Sequence, residues 1–166
     1  IKHLLKERAK VILMSHLVGE DGIPSFAKIA GYLRKKYLPR LRFVPDVAGK
    51  DAQKQVNLMR GGDVLLLENL RKDRREKNNG RVFSKKLSGL ADIYVNEAFS
   101  VSHREHASVV GVPRLLPSYA GPLFLEEVRR LSKALTPPHP FVLALGGKKL
   151  STKIGLLSKL FVRADK

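Results

Sequence analysis

Five short apolar runs, each closed by a turn and followed by a longer helical pattern, constrain this chain more than any other feature. They are Ala9 to Met14, Leu41 to Val44, Asp63 to Leu67, Asp92 to Val95 and Pro140 to Leu145. Each is nearly continuous in apolar residues, the pattern of strands covered on both faces in a parallel sheet. Between them lie helix patterns. Ser25 is placed to cap a helix over Phe26 to Tyr37, whose Phe26, Ile29, Ala30 and Leu33 share one face. Val82 to Leu90, Leu123 to Leu135 and Leu150 to Val162 read as three further helices, and Ile1 to Lys10, basic but containing Glu7, as an ordinary helix and no transit peptide. This alternation predicts a three-layer α/β/α, Rossmann-like domain built on a parallel sheet with right-handed crossovers. The stiff Pro137-Pro138-His139-Pro140 is the break expected where a chain leaves one domain for another, dividing 1–136 from 137–166.

The 166 residues, 43% of them hydrophobic, suffice for one compact core and bury roughly 70% of the unfolded surface. Cysteine is absent, which excludes a disulfide framework, a Cys-ligated zinc and a thiol nucleophile. The longest apolar runs fall well short of the ~18 residues that a membrane-spanning helix needs. The formal charge of +17 points to anionic partners: nucleic acid, acidic headgroups or phosphorylated metabolites, among which composition does not choose. Arg71 to Lys86 is the most basic stretch, with eight Lys and Arg against Asp73 and Glu76, and reads mostly as a solvated loop and the exposed face of a helix. The chain opens at Ile1 without an initiator Met and stops mid-pattern at Lys166, so a piece of a longer protein is expected.

Open α/β sheets bind ligands beyond the C-terminal ends of their strands. Ser15-His16 follows the first run, Glu68-Asn69-Leu70-Arg71 the third, and Asn96-Glu97 and then His103-Arg104-Glu105-His106 the fourth. Gly146-Gly147-Lys148-Lys149 follows the fifth. Basic and imidazole groups thus collect at one edge, suited to a phosphate or carboxylate. Plainer readings stand beside this one: His16 as a satisfied loop histidine, Arg71 and Arg104 as surface arginines paired with Glu68 and Glu105, and Gly146-Gly147 as a tight turn. His103 and His106 have a metal-ligand spacing but lack a third ligand, so no metal site is assigned. The Gly146 segment is no Walker A loop, since Val142 and Lys149 stand where Gly and Ser/Thr belong, although Lys149 and Lys153 at a helix start would still attract phosphate. No G-x-S-x-G elbow supports a serine triad.

In order, Val11 to His16 (VILMSH), Gly62 to Arg71 (GDVLLLENLR), Asp92 to Ser108 (DIYVNEAFSVSHREHAS) with Val110-Gly111-Val112-Pro113, and Leu143 to Ile154 (LALGGKKLSTKI) resemble the phosphoglycerate kinases over essentially the whole chain. The resemblance implies reversible phosphoryl transfer between 1,3-bisphosphoglycerate with ADP and 3-phosphoglycerate with MgATP, in glycolysis. It implies a cytoplasmic monomer with two α/β lobes that close about a hinge. Residues 1–136 would be the substrate lobe, and 137–166 the interdomain segment with the start of the nucleotide lobe. By the same resemblance His16, Gly19, Arg71, His103 and Arg104 fall on the substrate side. Gly146, Gly147, Lys149 and Lys153 fall on the nucleotide side, and Lys149 and Arg104 take catalytic roles.

The pattern also departs from the family. Leu17-Val18-Gly19-Glu20 stands where Leu-Gly-Arg-Pro is usual, so Gly19 replaces a substrate arginine. Lys148 replaces a small residue, Lys72 follows Arg71 where an aromatic is common, and Thr152 stands where Asp is frequent. By resemblance the family's first strand precedes Ile1 and its metal-holding acidic group follows Lys166, so the chain alone is expected to be inactive. A rival reading is a non-catalytic basic module that holds RNA or another polyanion; few aromatics and no RNA-binding motif count against it. A third, a structural remnant without ligand, leaves the motifs unexplained.

Overall fold

The computed structural model describes residues 1–20, 22–144 and 154–165. The chain forms two compact units, Ile1–Val95 with Ser100–Tyr119, and Asn96–Phe99 with Ala120–Lys166.

The first unit is built on a parallel three-stranded sheet, β1 (Val11–Leu13), β2 (Leu41–Phe43) and β3 (Val64–Leu66), in the order β1-β3-β2. Val64 lies beside both Val11 and Leu41, and Leu66 beside both Leu13 and Phe43. The period of two along each strand sends these residues to one face, where they pack with Phe26, Ala30 and Leu33 of the second helix region. Ile12, Met14, Leu65 and Leu67 face the other side and pack with Ala52, Val56, Phe83 and Leu87. Both faces are therefore apolar, and this is the physical origin of the near-continuous runs.

The helices supply the outer layers. After α1 (Lys2–Lys6), α2 (Ala27–Lys36) covers one face, while α3 (Lys50–Asn57) and, after the single-turn α4 (Arg74–Lys77), α5 (Arg81–Ser88) cover the other. The layering expected of a three-layer α/β/α domain is thus present in this unit. α3 had no sequence prediction because its polar KDAQKQVN buries only Ala52. Its start is fixed by Asp46, whose carboxylate accepts from the amides of Gly49 and Ala52 at 3.0 Å each. A Cβ at Gly49 would stand 2.6 Å from that carboxylate, so a larger residue there displaces the Asp46 side chain from its two amides. Asp46→Ala is expected to cost about 1–2 kcal/mol, read as a lower urea midpoint with an unchanged m-value.

Two strand expectations are corrected. The fourth run forms β4 (Tyr94–Asn96), but it pairs with β5 (Ser118–Ala120) in a separate two-stranded sheet, not with β1, β2 or β3. An apolar run specifies burial and leaves the neighbour open: the Tyr94 amide finds the Pro117 carbonyl at 2.9 Å. Of the fifth run, residues 140–144 carry no strand. An extended segment becomes a strand only against a partner, and the Phe141 carbonyl accepts from Asp165, outside any strand.

In the second unit, α6 (Pro122–Lys133) starts with proline in its first turn. The Glu97 carboxylate accepts from the Leu123 and Phe124 amides at 3.0 and 3.3 Å. The apolar face expected over Leu125, Val128, Leu131 and Leu135 forms but stays open to solvent. Asp165, which follows α7 (Ile154–Phe161), accepts from the Phe141 amide. Among the described residues no helix is long and apolar enough to cross a membrane.

Candidate functional site

The site grows from the C-terminal ends of β1 and β3. Leaving β3, the buried chain continues through Leu67, Glu68, Asn69, Leu70 and Arg71, so three polar residues enter the interior and each must find partners. Glu68 Oε1 accepts from the Phe26 and Asn69 amides at 2.9 and 2.7 Å, and Oε2 from Ser25 Oγ at 2.7 Å and Lys72 Nζ at 2.8 Å. Burial pushes this carboxyl up, but the Lys72 ammonium, the two amides and the Ser25 hydroxyl outweigh it and hold Glu68 at about 2. Glu68, together with Ser25, therefore supplies the α2 cap expected of Ser25 alone; Ser25 Oγ also accepts from the Ala27 amide at 3.2 Å.

Asn69 closes the loop that follows β1. Its Nδ2 donates to the Leu17 and Pro24 carbonyls at 2.7 and 2.8 Å, and its Oδ1 accepts from the Leu17 and Arg71 amides at 3.3 and 3.1 Å. Gly19 and Gly22 bridge within that loop, where Gly22 has φ +121°. Gly19 thus sits exposed on a clamped loop and offers only backbone groups.

Arg71 is 4% exposed. Both its terminal nitrogens stand 3.3 Å from His106 Nδ1. A guanidinium only donates, so Nδ1 accepts and the His106 proton resides on Nε2. The pairing of Arg71 with Glu68 does not form: Glu68 engages Lys72 at 2.8 Å instead. Behind this cluster lies Glu76, fully buried, with its carboxylate accepting from Ser108 Oγ at 2.6 Å and from the Ser108 amide at 3.0 Å. Burial pushes Glu76 up, against the Ser108 bonds and the Arg71 charge. Glu76 is the exception to the solvated reading of Arg71 to Lys86, whose other Lys and Arg beyond Arg71 are exposed. Its tie to Ser108 fixes the chain just beyond His106, where Ala107–Gly111 forms one wide π turn against α5.

His16, Arg71, Arg104 and His106 lie close enough to feel one another's charge. His16 is lowered below 6.5 by burial first and then by Arg71, Arg104 and His106. His106 is lowered likewise by burial, Arg71, Arg104, Lys77 and His103. The structure thus brings His16, Arg71 and Arg104 together with His106, on which His103 acts in turn; the sequence had placed His106 among the groups that follow the fourth run but outside the candidate set. The signal for Asn69 and Glu68 was present in GDVLLLENLR, since polar residues that prolong a doubly buried run must be satisfied inside. Gly146, Gly147, Lys149 and Lys153 lie outside the described residues. The described residues include no group of three or more His, Asp or Glu that could hold a metal ion.

A neutral imidazole below 6.5 in the folded chain resists protonation there more than in the unfolded chain. Its contribution to stability is full above 6.5 and is lost as pH falls through the folded value. Imidazole NMR titrations of His16 and His106 are expected to show midpoints below 6.5; a midpoint at or above 6.5 for either contradicts the clustered charge.

Arg71 and Arg104 with two imidazoles gather hydrogen-bond donors at the strand ends, with Glu76 the buried carboxyl opposing the Arg71 charge, a chemistry suited to an oxyanion. The sequence model of the phosphoglycerate kinase family matches residues 1–166. Curated relatives include the phosphoglycerate kinase of Thermomicrobium roseum, 44% identical over 99% of this chain, and that of Fervidobacterium nodosum, 41% identical over 100% of it; this chain covers 43% of each. Among solved structures, the phosphoglycerate kinase of Pyrococcus horikoshii OT3 superposes over 99% of the chain and 44% of its own with a TM-score of 0.89 at 27% identity. The phosphoglycerate kinase of Coxiella burnetii superposes over 99% of the chain and 42% of its own, with a TM-score of 0.79 at 32% identity. With the family's pattern running from the first residue to the last, and its fold reproduced along the same length, the chain belongs to the phosphoglycerate kinase family.

Proposed function

We propose that this chain carries the acid-substrate side of the phosphoglycerate kinase reaction: reversible phosphoryl transfer between 1,3-bisphosphoglycerate with ADP and 3-phosphoglycerate with ATP, a step of glycolysis. The observation that carries the reading is the convergence of His16, Arg71, Arg104 and His106 beyond the C-terminal strand ends, with Arg71 held in place by His106. An anion that bears both phosphate and carboxylate matches this set. Arg71 keeps guanidinium N–H groups that His106 does not take, Arg104 is exposed and able to close on a ligand, and His106 Nε2–H remains a donor. Phosphoryl transfer asks for positioning and charge stabilisation without a covalent nucleophile, and these side chains offer that on the acceptor side.

In the same reading residues 1–136 form the substrate lobe and residues 137–166 lead into the nucleotide lobe. Gly146, Gly147, Lys149 and Lys153 hold the nucleotide, Lys149 follows the transferring phosphoryl group, and Arg104 takes a catalytic role from the substrate side. Magnesium, when bound with the nucleotide, neutralises phosphate charge; no described residue is assigned to it. Turnover requires more of the protein than this chain, which spans 43% of the relatives above. A cytoplasmic monomer completes the reading. The basic-module alternative finds no support among the relatives and structural neighbours.

Calorimetric titration tests this. The chain is expected to bind 3-phosphoglycerate in preference to sulfate at matched ionic strength, and Arg104→Ala to weaken that binding roughly 10- to 100-fold, as loss of a charge-assisted hydrogen bond does. An unchanged preference in Arg104→Ala removes Arg104 from the site.

A further inference from the structure

The opposite end of the same sheet is also basic and hollow. A cavity of about 500 Å³ opens at the start of β2 and before β3, lined by Arg34, Arg40, Arg42 and Arg60 around one carboxylate, Asp63, over Pro39 and Leu58. It is a shallow depression, open to solvent over most of its extent. A second cavity of about 520 Å³ adjoins it, shares Pro39, Arg40 and Arg60, and adds Lys2, Lys6 and Arg8. These residues precede or begin the strands, whereas His16 and Arg71 follow the strands' ends. The two basic sites therefore lie at opposite ends of the sheet.

Asp63 organises the first cavity without neutralising it. Its Oδ1 accepts from Arg40 Nη2 at 2.9 Å, while Oδ2 accepts from the Arg60 amide at 2.8 Å and from Arg42 Nη2 at 3.5 Å. One carboxylate thus serves two guanidinium groups and pins the Arg60 loop. The Arg34 and Arg60 side chains form no ion pair among the described residues. Four guanidinium groups against one carboxylate leave a surplus of three positive charges facing one cavity. Tyr37, which lines the adjoining cavity, is the only aromatic side chain along the pair, so bases would find little to stack on.

We propose that this end of the sheet is a second anion site, taking a short chain of linked phosphates. Several guanidinium forks around a small hollow match an anion whose charge is spread over adjacent phosphoryl groups. The phosphate chain belongs either to inorganic polyphosphate or to a nucleotide tail, and both present the same oxygens.

Arg34→Gln/Arg60→Gln tests the site, because both side chains are exposed and their loss leaves the Asp63 bonds in place. The chain and the variant are titrated in parallel with tripolyphosphate and with ATP at about 0.15 M salt, which screens diffuse surface attraction beyond roughly 8 Å. The difference between the two proteins isolates this site from any other. At least a tenfold loss of tripolyphosphate affinity is expected, with 3-phosphoglycerate affinity unchanged. In the unsubstituted chain tripolyphosphate is expected to shift the amide resonances of residues 40–42 and 60–63. If the lost ATP affinity equals the lost tripolyphosphate affinity, the site reads inorganic phosphate chains; a larger loss for ATP assigns a nucleotide tail, and both support the site. Equal affinity in chain and variant, or shifts confined to residues 71 and 104–106, would overturn it. The outcome is independent of whether 3-phosphoglycerate binds at the other end.

Discussion

Glu68→Gln lowers the unfolding free energy by roughly 3 kcal/mol at pH 7, and the deficit shrinks as the solution is acidified. A carboxyl at 4.5 in the unfolded chain and about 2 in the folded one stores about that much at neutral pH. The sign follows from the lowered folded value: stability is complete above 4.5 and disappears as pH falls toward 2. Glutamine keeps the shape but loses the charge that Lys72, two backbone amides and the Ser25 hydroxyl all address. The α2 start and the exit of β3 loosen together, because Glu68 ties them directly. Urea unfolding at pH 7 and near pH 3 reads both effects. An equal gap between the two proteins at both pH values would contradict a stabilising role for the Glu68 charge.

Arg71→Met abolishes 3-phosphoglycerate binding, by at least 100-fold, while changing the unfolding free energy by no more than about 1 kcal/mol. The contrast with Glu68 is physical. Arg71 is as buried as Glu68, yet its described side-chain partner is a neutral imidazole, with Glu76 acting only through its charge. Burial lowers Arg71 first, Glu76 opposes that, and Arg104 adds to it. Among the described residues no carboxylate is hydrogen-bonded to Arg71, so its removal leaves no ion-pair partner behind, and methionine refills the space of the buried stem. Its value lies in what it offers a ligand. Calorimetry with 3-phosphoglycerate and urea unfolding on the same preparation separate the two effects. A loss of several kcal/mol in stability would mark Arg71 as structural instead.

These two residues also show what the sequence made legible. β1 and β3 were readable because a strand buried on both faces has to be apolar at every position, and Val11 to Leu13 and Val64 to Leu66 obey that rule, while β2 breaks it only at Arg42. The partner of β4 was not readable, since burial of Tyr94 says nothing about which strand supplies its hydrogen bonds. α3 escaped because one buried alanine leaves no periodic signal, and its start depends on Asp46, whose side chain folds back onto the helix from three residues before Gly49. In the basic cluster, His16, Arg71, His103 and Arg104 were marked as candidates from their place after the strands. His106 and Glu76 were not, because their roles come from the Arg71 guanidinium and the Ser108 amide, contacts spanning 35 and 32 residues. Glu76 in particular is hidden among eight Lys and Arg, where a carboxylate reads as ordinary charge balance.

The most direct test of the central claim is a pair of NMR pH titrations of the His16 and His106 imidazoles, one saturated with 3-phosphoglycerate and one with sulfate, at matched ionic strength. Arg71 and Arg104 now hold both rings below 6.5 along with burial. An anion seated among them cancels that repulsion, so both midpoints rise on saturation with 3-phosphoglycerate and rise less with sulfate. Midpoints that stay where they are, or that respond equally to the two anions, would contradict a site shaped for an acid that carries phosphate and carboxylate together.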